Sequence, residues 1–128
     1  MKRAAFLCDS PDNVERVYGQ GRAEAVAGIV ELYPQIITSE NFAKHAAVLP
    51  ELDAVFSTWG MPLLAVEQLA QMAELKAVFY AAGSVKGFAA PLLQHGLVLC
   101  GGWGANAVPV AEFTLAQVLL SCEGYFRN

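Results

Sequence analysis

Few side chains in this sequence are equipped for chemistry, and their spacing limits what each could do. His45 and His95 have no ligand partner at i+4 and no cysteine pair beside them, so a metal site is not indicated. A surface or helix-cap position is expected for both. Cys8, Cys100 and Cys122 lie far apart and form no CxxC pair, which excludes a disulfide framework. Cys8 and Cys100 end apolar runs, where the N-terminus of a following helix could lower a thiol pKa. No base is paired with either, so a small buried apolar role is the simpler expectation. Asp9 stands alone, residues 57–58 are Ser-Thr, and no lysine ends the fifth apolar run. A phospho-acceptor receiver domain, which needs acids at the first two of these positions and a lysine at the third, is therefore excluded. Asp9 and Ser10 read first as a helix cap.

Residues 102–107, Gly-Trp-Gly-Ala-Asn-Ala, match G-x-G-x-x-G/A between a strand and a helix. That context suits a dinucleotide, whose pyrophosphate is held by bare amides and a helix N-terminus. The ribose-binding acid should end a second strand roughly 20 residues later. The residue near that position is Glu123, at the end of the same helical run, so the pattern argues against a dinucleotide here. Trp59, followed by Gly60, could line a pocket or cover a sheet edge.

These residues must be positioned by alternating apolar runs and amphipathic stretches. Strands are expected at 4–7, 36–38, 54–57, 76–80 and 97–99. Helices are expected after Ser10-Pro11, with proline at N1, and at 22–32, 42–47 with Ser39 as its cap, 62–73, 88–94 and 107–125. His95 and Gly96 should close the helix at 88–94, the glycine in a left-handed cap. Five strands alternating with helices imply a parallel sheet with right-handed crossovers. The fold expected is α/β, a flavodoxin-like three-layer sandwich of one domain over 1–128, strand order 2-1-3-4-5, ending in a long apolar helix. Ligands of such sheets bind beyond the carboxyl ends of the strands, here 8–10, 58–60, 81–84 and 101–106.

Composition narrows the function classes. Apolar residues make up 55% and charged residues 16%, richer in apolar side chains than ordinary soluble domains. The excess implies a sheet covered on both faces or a surface covered by a partner. A net charge of −4 without a basic cluster excludes binding to nucleic acid backbones. No run reaches the roughly 18 consecutive apolar residues of a membrane span, so no membrane role is expected. The opening apolar run is too short for a signal peptide, and a reducing cytoplasm is the expected setting.

Two segments carry a family likeness: Leu-Lys-Ala-Val-Phe-Tyr-Ala-Ala-Gly-Ser-Val at 75–85 and Ala-Asn-Ala-Val-Pro-Val-Ala-Glu-Phe-Thr-Leu-Ala at 105–116. Together, and with the element order, they resemble the N-terminal, substrate-binding domain of D-isomer-specific 2-hydroxyacid dehydrogenases. The resemblance implies that Ala82, Gly83 and Ser84 hold a substrate carboxylate, with Thr58, Trp59 and Gly60 capping the same pocket. It places Asn106 on the substrate side of the cleft, Val110 near the nicotinamide, and Glu112 at the helix N-terminus, where the dipole favours an acid. It implies an oxidoreductase parent that moves a hydride between NAD or NADP and a small 2-hydroxy/2-oxo acid. The family's nucleotide fingerprint, clamping arginine and His–acid pair have no matching residues here, and Val85-Lys86 replaces an acid common after the turn. The chain alone is therefore expected to be inactive and to carry no cofactor, as a truncated substrate domain. The alternative is a non-enzymatic module of flavodoxin-like fold that binds a small carboxylate or dimerises.

The helix at 107–125 sharpens that choice. It is apolar nearly all round, a pattern that normally means burial all round. One side is expected on the sheet. A second copy of the chain, or the missing nucleotide domain, is expected against the other, because Val110, Phe113, Leu115 and Val118 cannot all be buried within one copy.

Overall fold

The computed structural model describes residues 1–127. Strands β1 (Arg3–Phe6), β2 (Glu31–Leu32), β3 (Ala54–Ser57), β4 (Ala77–Tyr80) and β5 (Val98–Gly101) form one parallel sheet in the order β2-β1-β3-β4-β5. The helices are α1 (Pro11–Tyr18), α2 (Arg22–Ala27), α3 (Val66–Ala70), α4 (Ala89–Gln94) and α5 (Trp103–Cys122). This is the flavodoxin-like topology expected from the alternation of apolar runs.

Register and alternation sort the strand residues onto two faces. Phe6, Phe56, Phe79 and Cys100 lie level across four strands, as do Ala5, Val55, Val78 and Leu99. The second row faces the larger core, where Leu7, Ile37, Leu52, Leu69, Met72 and Leu92 are almost fully buried. Each such side chain contributes about 1.5–3 kcal/mol by leaving water. The first row meets Val14 and Tyr18 of α1 in a smaller cluster with Cys8. Rings run along this face: Phe6 lies 4.7 Å from Tyr18, and Phe56 stacks on Phe79 at 5.1 Å.

Several boundaries differ from the sequence expectation, each for a local reason. The helix expected at 22–32 ends at Ala27, because Gly28 follows and Glu31 and Leu32 pair with β1. The second strand, expected at 36–38, is thus split: Glu31–Leu32 pair with Arg3 and Ala4, Pro34 interrupts, and Ile37 rejoins by a bridge to Leu7. Residues 42–47 form only a 3-10 turn, Phe42–His45, without a Ser39 cap. Instead, Thr38 and Asn41 bind each other's backbone amides through their side chains, at 2.8 and 3.2 Å. Ser39 donates its amide to Asp9 Oδ1 at 2.6 Å. The helix expected at 62–73 shrinks to Val66–Ala70, where the Ala65 amide donates to Gln68 Oε1 at 2.9 Å. Pro11 does sit at N1 of α1, although the Ser10 side chain makes no cap bond.

The histidines divide. His45 is buried, not a surface group, with Nδ1 3.1 Å from the Tyr33 hydroxyl. His95 caps α4 and Gly96 takes φ +82°. Gly96 N donates to Leu93 O at 3.0 Å and Leu97 N to Leu92 O at 3.1 Å, which completes a Schellman motif with buried Leu92 beneath buried Leu97.

The last helix departs most. It starts at Trp103, four positions before 107, so Gly104 is helical and Pro109 lies inside the helix. None of its residues is buried. The expectation that one side rests on its own sheet is overturned. Val110, Phe113, Leu115 and Val118 are all more than half exposed, as expected for residues that one copy cannot cover. By length and composition this helix could also cross a membrane, with a mean hydropathy of 1.3.

Candidate functional site

The four loops at the carboxyl ends of the strands assemble as two pairs. In the first, Thr58–Met61 form a turn closed by Met61 N donating to Thr58 O at 3.0 Å. Gly60 takes φ +108°, and a Cβ there would lie 3.1 Å from Cys8 Sγ and 3.2 Å from Ser10 N. Only glycine fits both the backbone and the space. Asp9 N donates to Gly60 O at 2.7 Å, while Asn13 Nδ2 and Cys8 Sγ donate to Trp59 O at 2.9 and 3.3 Å. Cys8 is fully buried, and desolvation pushes its thiol pKa up. It is therefore a packed donor, protonated at neutral pH, with little nucleophilic character.

In the second pair, the turn after β4 meets the first turn of α5. A Cβ on Gly83 would sit 3.0 Å from Asn106 Nδ2. The φ of Gly83 is not positive, so a side chain at 83 would be accommodated only by a shift of the Asn106 carboxamide. Gly102 N donates to Tyr80 O at 2.8 Å and Asn106 N to Gly102 O at 3.0 Å, which pins the helix start over the turn. Lys86 N donates to Ser84 Oγ at 3.4 Å. The amides of Gly83 and Ser84 donate to no acceptor among the described residues.

Beside this turn lies a cleft of about 420 Å³ lined by Gly83, Ser84, Val85, Lys86, Leu93, Leu99, Gly101 and Trp103. Its size suits a small ligand. Lys86 is the one charged residue of the lining, so the cleft favours anions. A second cavity of about 250 Å³, at the opposite edge of the sheet, includes Arg3, but Glu31 and Glu51 pair with that arginine.

The residues singled out from sequence are therefore placed as follows. Gly83 and Ser84 line the cleft, and Asn106 packs against Gly83 beside it. Ala82 is buried beneath them and Val110 stands exposed on the second turn of α5. Thr58 is buried, its Oγ1 donating to Ala81 O at 3.3 Å, and so ties the two loop pairs together. Trp59 and Gly60 belong to the first pair, against Cys8 and Asn13, and do not line the cleft. Trp59 is partly exposed. Lys86, Leu93 and Trp103 line the cleft and were not singled out from sequence. A lysine two residues after Ser84 was the available signal.

The residues at 102–107 do not fit a dinucleotide. Gly104 lies within α5, the Gly102 amide is committed to Tyr80, and only a 3-10 turn, Tyr125–Arg127, follows the helix among the described residues. No group of three or more potential metal ligands occurs among the described residues. No family model, curated protein or solved structure matches the chain.

Proposed function

We propose that this chain is a binding domain for a small carboxylate of the 2-hydroxy/2-oxo acid class, akin to the substrate domain of a D-isomer-specific 2-hydroxyacid dehydrogenase. The observation that carries this reading is the set of donors at one cleft. Gly83 and Ser84, with their free amides, and Lys86 line a space with no acidic residue, and the Asn106 carboxamide stands against Gly83 beside it. Amides and a cation at a turn are what a carboxylate requires. The apolar wall of Leu93, Leu99 and Trp103 suits a short carbon chain.

The chain's own residues would bind and orient the acid. Proton transfer needs a positioned acid or base. His45 is buried under Tyr33, and His95 caps α4 at the start of β5 and is not among the residues that line the cleft. NAD or NADP, as hydride carrier of the parent reaction, would be held by residues other than those at 102–107. We therefore assign binding, and no catalytic step, to this chain.

Calorimetric titration with pyruvate and D-lactate tests the proposal. Saturable binding is expected, weakened up to about fivefold in Lys86→Ala, since an exposed ion pair is worth up to about 1 kcal/mol. Binding of equal strength in the Lys86→Ala variant, or none in the parent chain, would refute it.

A further inference from the structure

Two large apolar surfaces lack a partner among the described residues. The first is α5. Val108, Ala111, Leu115, Val118 and Cys122 recur at alternating spacings of three and four, which sets them in one stripe along the helix. Thr114 and Ser121 return their hydroxyls to the carbonyls of Val110 and Gln117, both at 2.8 Å, and so present little polarity. The second surface is the half of the sheet beside α1 that no helix covers. There Phe79, Val98 and Cys100 are exposed, and a groove of about 270 Å³ opens between Tyr18, Phe56, Phe79 and Cys100. In a doubly wound sheet this half-face is where the helix after the last strand packs. Here that helix cannot readily turn back. Its first turn is fixed by Gly102 N on Tyr80 O and by the Asn106 side chain against Gly83.

We propose that the occupant of the β4–β5 half-face is α5 of a second copy of this chain, exchanged reciprocally in a two-fold dimer. One chain supplies both complementary surfaces, so exchange closes the assembly at two subunits. The areas agree with this. With about 150–250 Å² for a whole aromatic side chain and somewhat less for an aliphatic one, the large apolar residues of α5 expose on the order of 800 Å². Burying roughly half of that, with a matching area of sheet, twice over gives about 1,600 Å², the size of a standard stable interface. Neither surface carries a charge that the contact would strand except Glu112, which lies outside the stripe. A membrane is the weaker occupant for α5, because Glu112 would then sit near mid-bilayer and the half-face would stay in water. The proposal does not depend on the carboxylate reading, which concerns the other side of β5.

The test mixes unlabelled and 15N-labelled chain, each carrying a photo-crosslinker in place of Leu115. Light scattering and mass spectrometry follow, with phospholipid vesicles in a parallel sample. A dimer is expected, with mixed-isotope crosslinks from position 115 to peptides containing Phe79, Val98 or Cys100. Val98→Lys should raise the dissociation constant on the order of 100-fold, since it buries an unpaired charge. Val98 is 60% exposed, so that variant should keep the parent's circular dichroism. Crosslinks confined to one chain, crosslinks only between the two α5 helices, sedimentation with vesicles, or a monomer without crosslinks would each overturn the proposal.

Discussion

Replacing Gly60 by alanine tests whether the two loops at the head of β1 and β3 are locked together as described. The residue sits at φ +108°, where an added Cβ carries a backbone cost of about 1–3 kcal/mol. That Cβ would also stand 3.1 Å from Cys8 Sγ and 3.2 Å from both Ser10 N and Ser10 Cβ. Cys8 is fully buried and Ser10 N is backbone, so neither can yield cheaply, and overpacking adds about 1–3 kcal/mol. The expected total is about 3–4 kcal/mol, a fall in melting temperature of about 11–15 °C for a domain of this size. Gly21→Ala is the matched control. It has φ +84° but nothing within 4 Å of its Cβ, so only the backbone cost applies, about 1 kcal/mol. Urea denaturation of both variants, with unchanged slopes, isolates the steric part. Equal destabilisation of the two would refute the packing of the 58–61 turn onto Cys8 and Ser10.

Other outcomes follow from the same geometry. Cys8 should resist alkylation until the chain unfolds, because burial holds its thiol protonated. A rate at Cys8 in the native chain comparable to that in urea-unfolded chain would contradict this. Tyr18→Phe should cost about 0.5–1.5 kcal/mol at neutral pH, since it removes the 3.1 Å bond from the hydroxyl to the Ser57 carbonyl, which keeps its 2.9 Å bond from the Ala81 amide. Burial pushes the Tyr18 hydroxyl up to about 12. The folded state thus keeps a proton that the unfolded chain releases near pH 10, and stability should decline as pH rises from about 10 to about 12. That decline should be smaller in Tyr18→Phe. Asp53 accepts from Lys2 Nζ at 2.5 Å and from the Arg3 amide at 3.0 Å, which hold its carboxyl down to about 2. Its contribution is present above about pH 4 and lost as pH falls towards about 2, so Asp53→Asn should flatten the acid limb of a stability–pH curve.

The sheet was legible because its central strands are short and almost wholly apolar: Ala-Val-Phe at 54–56 and Ala-Val-Phe-Tyr at 77–80 allow no other buried element. The α4 cap was legible because Gly96 follows His95 at the end of an apolar run. The second strand was obscured because Ile29, Val30 and Leu32 continue a helical spacing up to the break at Pro34, and pairing with β1 overrode it. His45 could not be read as buried because its partner, Tyr33, lies twelve positions away with no local pattern linking them. At the cleft, the Gly83–Ser84 turn and Asn106 stood out through resemblance. Lys86 did not, because it departs from that pattern. Thr58 to Gly60 were placed with the cleft by the same resemblance, whereas close packing on Cys8 and Ser10 holds them with the neighbouring loop pair.

The central claim is that the Gly83–Ser84 turn is a carboxylate site. It is tested most directly by following the 15N and 1H resonances of the chain during titration with pyruvate. The account predicts saturable shifts at the Gly83 and Ser84 amides and the Asn106 side-chain amide, absent when acetone replaces pyruvate. Shifts that do not saturate, that appear equally with acetone, or that centre on other loops would contradict it.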